Sequence, residues 1–225
     1  MTACAIVVGF NHWDGESLYD KTFTRDFVYL LKDRNPNLTI LLIDNFSGKP
    51  YPTNIGGNVE VLRLPRRVGY GVALNIGLKH LQARDFDWYI CMNNDCWIHP
   101  NPKAPADHGR LSLEALDRGT LYGSGWNVDK HRGLRFQWSA WLCISREILE
   151  AVGYFDEGLS AAFEDFDYEQ RALNEGFRLD TAAFPIVHLD EHTRLEDKNY
   201  PPAWEKARLI FAMKHGLETE TWFKV

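Results

Sequence analysis

Short apolar runs alternate with longer stretches of helical spacing across residues 3–92. The run ACAIVVGF (3–10) is rich in β-branched residues and stops at Asn11, which predicts a first buried strand. Residues 16–34 carry Leu18, Phe23, Phe27, Leu30 and Leu31 near helical spacing, and NPN (35–37) ends that helix. LTILLID (38–44) predicts a second strand finishing on Asp44, followed by a turn in NFSGKPYP. VEVLRL (59–64) is a third strand. GVALNIGLKHLQA (71–83) is a helix with Leu74, Leu78 and Leu81 on one face, and WYICM (88–92) is a fourth strand.

Strands alternating with helices predict an α/β protein, a single Rossmann-like domain whose mostly parallel central sheet is flanked by helices. Ligands of such sheets bind outside the carboxyl ends of the strands. Three of the predicted ends carry small polar residues: Asn11, then Asp44 with Asn45, then Asn93-Asn94-Asp95. Beyond residue 100 the pattern loosens. HPNPKAPADHGR and NVDKHRGLR read as loops, FQWSAWLCIS (136–145) as a strand and REILEAV as a short helix. EDFDYEQRALNEG (164–176) is a helix with acids in its first turn and Gly176 as its cap. FRLDTAAFPIVHLD supplies late strands, residues 190–203 a Pro-ended loop, and AWEKARLIFAMKHG (203–216) a closing helix. With no internal repeat and no boundary signal, residues 1–225 read as one domain, with 200–225 a C-terminal helical extension.

The 225 residues are 45% hydrophobic and 25% charged, ordinary for a globular protein, and the formal net charge is −6. That sign argues against a nucleic-acid partner, which needs a basic surface to meet phosphates, but allows a small anionic ligand. No stretch reaches the ~20 apolar residues of a membrane span, so no transmembrane segment is expected, although peripheral membrane association stays open. The apolar N-terminus lacks a basic flank and a cleavage site, so it reads as a strand rather than a signal peptide. Cys4, Cys91, Cys96 and Cys143 lie in apolar contexts, as expected of reduced thiols in a cytoplasmic protein. Cys91, Cys96 and His99 raise a zinc site, but their spacing fits no common pattern and a fourth ligand is missing.

Asp95, a carboxylate at a strand end, suits a hard cation such as Mg²⁺ or Mn²⁺, which takes few carboxylates and leaves the rest to water and phosphate. A plain turn fits Asn-Asn-Asp equally. In AAFEDFDYEQR, Asp167 reads as structural, paired with Arg171 at i,i+4. Asp165 reads either as a helix-end acid or as a general base. His188 ends an apolar run and gains interest only beside another metal ligand. Gly69 and Gly71 begin a G-x-G, but Leu74 breaks the dinucleotide fingerprint. There is no Walker A lysine loop, and no G-x-S-x-G for a serine nucleophile. Trp126, Trp138 and Trp141 fit either sugar stacking or core packing.

In order and spacing, VVGFN (7–11), LLIDNFS (41–47), GYGVALNIGL (69–78), YICMNND (89–95), VGYFDEGLSAAFEDFDYEQRALNEGF (152–177) and VHL (187–189) resemble the family 2 glycosyltransferases of the GT-A fold. The resemblance spans about residues 3–190. It implies a GT-A fold and an inverting transfer of a sugar from a nucleoside-diphosphate donor to a hydroxyl of a glycan or glycoconjugate acceptor, with Mn²⁺ or Mg²⁺ as cofactor. NND stands where the family has its DXD-type motif, so Asp95 would hold the metal with His188, while Asn93 departs from the acidic first position. Asp165 would be the catalytic base. Asn11, Asp44, Asn45, Asn75, Asn94 and Glu164 would bind substrate, with Asp44 at the nucleotide base or ribose. Polar loops 101–110 and 190–203 would close over the donor. The DN…S strand, the NND end and ARLIFAMKHG also look like rhamnosyltransferases, implying a dTDP- or UDP-linked L-rhamnose donor. UDP-glucose, UDP-galactose or UDP-GlcNAc would need nearly the same residues. Two other classes fit the broad pattern: a non-catalytic nucleotide-sugar-binding domain, and a sugar-nucleotide pyrophosphorylase, whose Gly-rich basic N-terminal loop VVGFNHWDGES lacks.

Overall fold

The computed structural model describes residues 1–11, 13, 23–98, 110–124, 126–128, 135–137, 140–159, 162–182, 184, 186–188 and 200–217. The elements run β1 (Ala3–Gly9), α1 (Phe23–Arg34), β2 (Thr39–Asp44), β3 (Val59–Arg63), α2 (Tyr70–Gln82), β4 (Trp88–Asn93) and β5 (Cys96–Ile98). They continue with β6 (Thr120–Gly123), β7 (Trp126–Val128), β8 (Arg135–Gln137), β9 (Trp141–Ser145), α3 (Arg146–Val152), α4 (Glu164–Asn174), β10 (Arg178–Thr181), β11 (Ile186–His188) and α5 (Tyr200–Lys214).

A seven-stranded sheet in the order β10-β6-β9-β4-β1-β2-β3 forms the centre. β3, β2, β1 and β4 run parallel, β9 is antiparallel to both β4 and β6, and β10 is parallel to β6. The expected mostly parallel sheet flanked by helices is what the chain forms. Alternate residues of each central strand feed opposite cores, as the two-residue period of a strand requires. Ala5 and Val7 pack with Phe27, Val28 and Leu31 of α1, whereas Cys4, Ile6 and Val8 pack with Leu74, Leu78 and Leu81 of α2 and with α3 and α4. Burial on both faces explains why β1, β2 and β4 read as continuous apolar runs rather than alternating ones.

Two expected boundaries move. The run 136–145 is not one strand: β8 pairs with β7 in a small hairpin, while β9 joins the main sheet. The closing helix begins at Tyr200, three residues earlier than its apolar pattern suggests, and carries Pro201 and Pro202 in its first turn. Proline is tolerated there because first-turn N–H groups have no intrahelical acceptor to lose. α4 ends as expected: Gly176 adopts φ 87°, with Phe177 N–H bonded to the Ala172 carbonyl and Gly176 N–H to that of Leu173. This double bond is the Schellman arrangement.

α5 packs on the start of α4 through a third apolar cluster of Leu159, Ala162, Phe163, Phe166, Ala207 and Phe211. Among the described residues no helix is long and apolar enough to cross a membrane. The four cysteines are free and buried.

Candidate active site

Because β1, β2 and β4 are adjacent and parallel, with Gly9 opposite Asp44 and Val8 opposite Asn93, the three polar strand ends meet along one carboxyl edge. The convergence read from the sequence is present. What the side chains do there differs from one strand to the next.

At β1 and β2 the polar groups brace the chain. Asp44 is fully buried, and its carboxylate accepts from Ser47 N–H (2.8 Å), Tyr51 N–H (3.2 Å) and the Arg63 guanidinium. Asn11 sits in left-handed backbone at φ 55°; its side-chain oxygen accepts from Gly48 N–H (2.9 Å) and its own N–H donates to Ser47 Oγ (2.8 Å). Asn45 exchanges two bonds with the Val68 backbone, at 2.8 and 2.9 Å. Asn75, on α2, clamps the Phe155 backbone by two 2.9 Å bonds and touches Glu157 at 3.0 Å. These groups are paired as buried polar atoms are expected to be. They shape the loops that border the edge, and the Asp44 carboxylate offers no exposed oxygen to a nucleotide.

At β4 the chain turns sharply. Asn93 is the last strand residue, Asn94 and Asp95 form the turn, and β5 departs into a separate two-stranded sheet with β11. The Asn94 amide donates to Thr24 Oγ1 of α1 at 2.7 Å, which pins that turn. The antiparallel β5–β11 register sets Cys96 opposite His188, so residue 188 pairs with the position next to Asp95. Two residues far apart in sequence are thereby neighbours at backbone level. Among the described residues no group of three or more His, Cys, Asp or Glu gathers as a metal cluster. A Mg²⁺ or Mn²⁺ ion needs no such cage when water and phosphate complete its shell, so one carboxylate and one imidazole suit it. Burial pushes the Cys91 and Cys96 thiols well up, and Asp95 adds to the effect on Cys96. They are neutral core groups, unlike the thiolates that zinc selects; His99 lies outside the described residues.

The third element is the start of α4. Its N-cap, Phe163, has φ 68° and ψ 2° and makes no side-chain cap bond. N-caps are normally extended, and a left-handed phenylalanine costs about 1–3 kcal/mol, a strain that concentrates at functional sites. The acids of this helix divide. Glu164, Asp167 and Glu169 are buried, whereas Asp165 is partly exposed. Asp165 Oδ1 accepts from Phe166 N–H at 2.9 Å. Asp167 is structural, as its spacing to Arg171 suggested, and binds Arg171 (2.8 Å), Lys214 (2.8 Å) and His215 (2.9 Å). Burial by itself raises the Asp167 carboxyl, but hydrogen bonds from Lys214, Arg171 and His215 outweigh it and hold the group below its ordinary range.

Two helix starts meet here. A Cβ added to Gly71, in the first turn of α2, would lie 3.3 Å from Glu164 Cβ and 3.4 Å from Phe155 Cβ, a contact tight enough that the start of α4 would have to give by a few tenths of an ångström. Beside it, burial first, with the Glu164 and Asp95 carboxylates adding to it, raises the Tyr70 phenol well above the usual value. Sequence reasoning did not single out Tyr70, nor Phe10, whose ring carries the Arg67 guanidinium 4.1 Å above its centroid at the same edge. The available signal was their position: each aromatic adjoins a predicted ligand-edge motif. Trp141 is a core residue, 1% exposed and 4.6 Å from Phe184 ring to ring. The strand β7 includes Trp126, and Trp138 lies outside the described residues, as do 101–109 and 190–199 of the two expected lid loops.

Residues 16–105 match the model of "Glycosyl transferase family 2". Solved structures supply the rest of the comparison. GalNAc-T7, in a crystal with UDP, GalNAc and Mn²⁺, matches at TM-score 0.61 and 19% identity over 83% of this chain and 43% of its own. The mannosyltransferase PcManGT of Pyrobaculum calidifontis, in complex with GDP-Man and Mn²⁺, matches at TM-score 0.57 and 16% identity over 96% of this chain and 75% of its own. Staphylococcus aureus TarS 1–349 matches at TM-score 0.57 and 15% identity over 95% and 65%. The fold is GT-A. This GT-A chain therefore spans less than half the length of the GalNAc-T7 chain. No curated protein matches its sequence. The family match and the GT-A fold together support a glycosyltransferase.

Proposed function

We propose that this GT-A chain is an inverting, divalent-metal-dependent glycosyltransferase that moves a sugar from a nucleoside-diphosphate donor to an acceptor hydroxyl. The observation that carries the reading is the presence of two acidic elements at the carboxyl edge of the sheet. One is the β4 turn with Asp95, which lies beside the pairing partner of His188; the other is the start of α4 with Asp165, which packs on Gly71 at the start of α2.

Asp165 is the base. It is the acid of its cluster that solvent reaches, so an acceptor hydroxyl can approach it and lose its proton as the new glycosidic bond forms. Attack comes on the anomeric carbon from the face opposite the leaving nucleoside diphosphate, which inverts the centre. Asp95 and His188 would hold the cation, and a bound Mn²⁺ or Mg²⁺ supplies Lewis-acid neutralisation of the diphosphate charge. The first-turn N–H groups of α2 follow an N-cap, Gly69, that makes no side-chain bond. They add the positive end of a helix at the same edge. Glu164 lies against Gly71 at the start of α2 and Asn94 holds the β4 turn, while Asn11, Asp44, Asn45 and Asn75 support the nucleotide side as framework. An acceptor is a glycan or glycoconjugate. L-rhamnose remains the donor sugar implied by the DN…S, NND and ARLIFAMKHG motifs. The four buried free thiols fit a reducing, cytoplasmic setting.

A thermal-shift screen of UDP-, dTDP- and GDP-sugars with Mn²⁺ tests this reading. A true donor at one hundred times its dissociation constant adds about 2.7 kcal/mol to stability. EDTA and Asp95→Ala should each remove most of that gain. If no nucleotide sugar stabilises the chain with either metal, the reading fails.

A further inference from the structure

A left-handed residue opens α4. Phe163 holds φ 68° at a helix N-cap, a conformation rare for any residue with a side chain, and Glu164 and Asp165 follow it directly. The orientation of Asp165 is therefore set by a backbone that would relax if nothing restrained it. The restraint is visible. The Phe163 ring stacks on Phe211 of α5 at 5.5 Å and 23°, touches Trp204 of α5 at 5.4 Å, and meets Phe166 edge-on at 5.8 Å. Phe211 is itself 1% exposed. A second tie backs the rings: Lys214 bridges Asp156 (2.6 Å) and Asp167 (2.8 Å), joining the end of α5 to both sides of the 157–166 segment.

We infer that Phe163 is a positioning residue for Asp165, and that α5, through Phe211, holds it in its left-handed state. The inference rests on the reading of Asp165 as the base. It gives the C-terminal helix a part in turnover: α5 lies against the back of the α4 start and fixes the direction in which the carboxylate faces. Two features of the packing favour this over mere fold support. The aromatic contacts converge on the left-handed Phe163, and the ionic contacts bracket the same segment.

The test compares Phe211→Ala, Phe163→Leu and Phe211→Leu with the unaltered chain, measuring kcat, donor KM and folded fraction, with Asp165→Asn in the same series. Misplacing a reacting group by about 1 Å can cost on the order of a hundredfold in rate. Phe211→Ala and Phe163→Leu should each lower kcat about tenfold or more with donor KM within about twofold, on that same scale of misplacement. Phe211→Leu, which keeps most of the buried bulk, should restore most of kcat. If Phe211→Ala does not fold, Phe163→Leu carries the same prediction. Unchanged kcat in both, with Asp165→Asn inactive, overturns the positioning role alone. Loss of kcat and donor binding together in both assigns the rings to folding and also overturns it. Turnover by Asp165→Asn removes the base reading itself.

Discussion

The ends of β1 and β2 and the β4–α4 region face the same edge of the sheet and carry the same residue types, but bury them differently. At the first, Asp44 is wholly buried and accepts from two backbone N–H groups and one guanidinium. At the second, Asp165 is partly exposed, and its Oδ1 accepts from the Phe166 N–H of its own helix. A carboxylate satisfied by its own chain holds a loop, and one left within reach of solvent can take a proton. Residue type does not separate the two cases. Accessibility does.

The comparison can be broken by exchanging the properties. Asp44→Ala should behave as a stability lesion. It leaves two buried donors unpaired and breaks an ion pair whose arginine is about one-third exposed, together costing about 3 kcal/mol. Denaturant unfolding should show the loss, while donor affinity of the folded fraction stays near normal. A stable variant that fails to bind donor would move Asp44 from framework to nucleotide contact. Asn75→Ala should cost about 2 kcal/mol, because the buried Phe155 backbone then lacks two partners. Full stability with lost donor binding would return Asn75 to the site.

A smaller effect tests the α4–α5 joint. The Asp167 carboxyl titrates below its ordinary value when folded, so its partners add stability above the unfolded pKa of about 4, and that increment disappears as pH falls through the depressed folded value. Asp167→Asn should therefore lower the melting temperature at pH 6 to 7, with the gap to the unaltered chain closing below about pH 4. A gap independent of pH would mean that the ionic contacts with Arg171, Lys214 and His215 contribute nothing.

Much of this was legible before the structure. Buried parallel strands announce themselves by unbroken apolar runs, which is why β1, β2 and β4 fell within a residue or so of expectation and why their polar ends could be grouped. Short strands carry too little periodicity: β6, four residues, and β5, three residues, were not anticipated. Missing β5 also hid the link between Asp95 and His188, because that neighbourhood arises from a register between strands some ninety positions apart. The division of Asp44 from Asp165 was equally invisible, since it depends on hydrogen bonds to Ser47, Tyr51 and Arg63 that only the folded turn creates. The strain at Phe163 had no sequence signal, phenylalanine being a residue that ordinarily avoids left-handed backbone.

The central claim is that Asp165 takes the acceptor proton while the braced residues behind it do not. It is tested most directly by measuring sugar transfer and donor-dependent thermal stabilisation on one preparation of Asp165→Asn. Transfer should fall by about 10²- to 10⁴-fold, the usual worth of a positioned base, with the donor-induced stabilisation intact. Transfer within about threefold of the unaltered chain, far inside that range, would contradict the account.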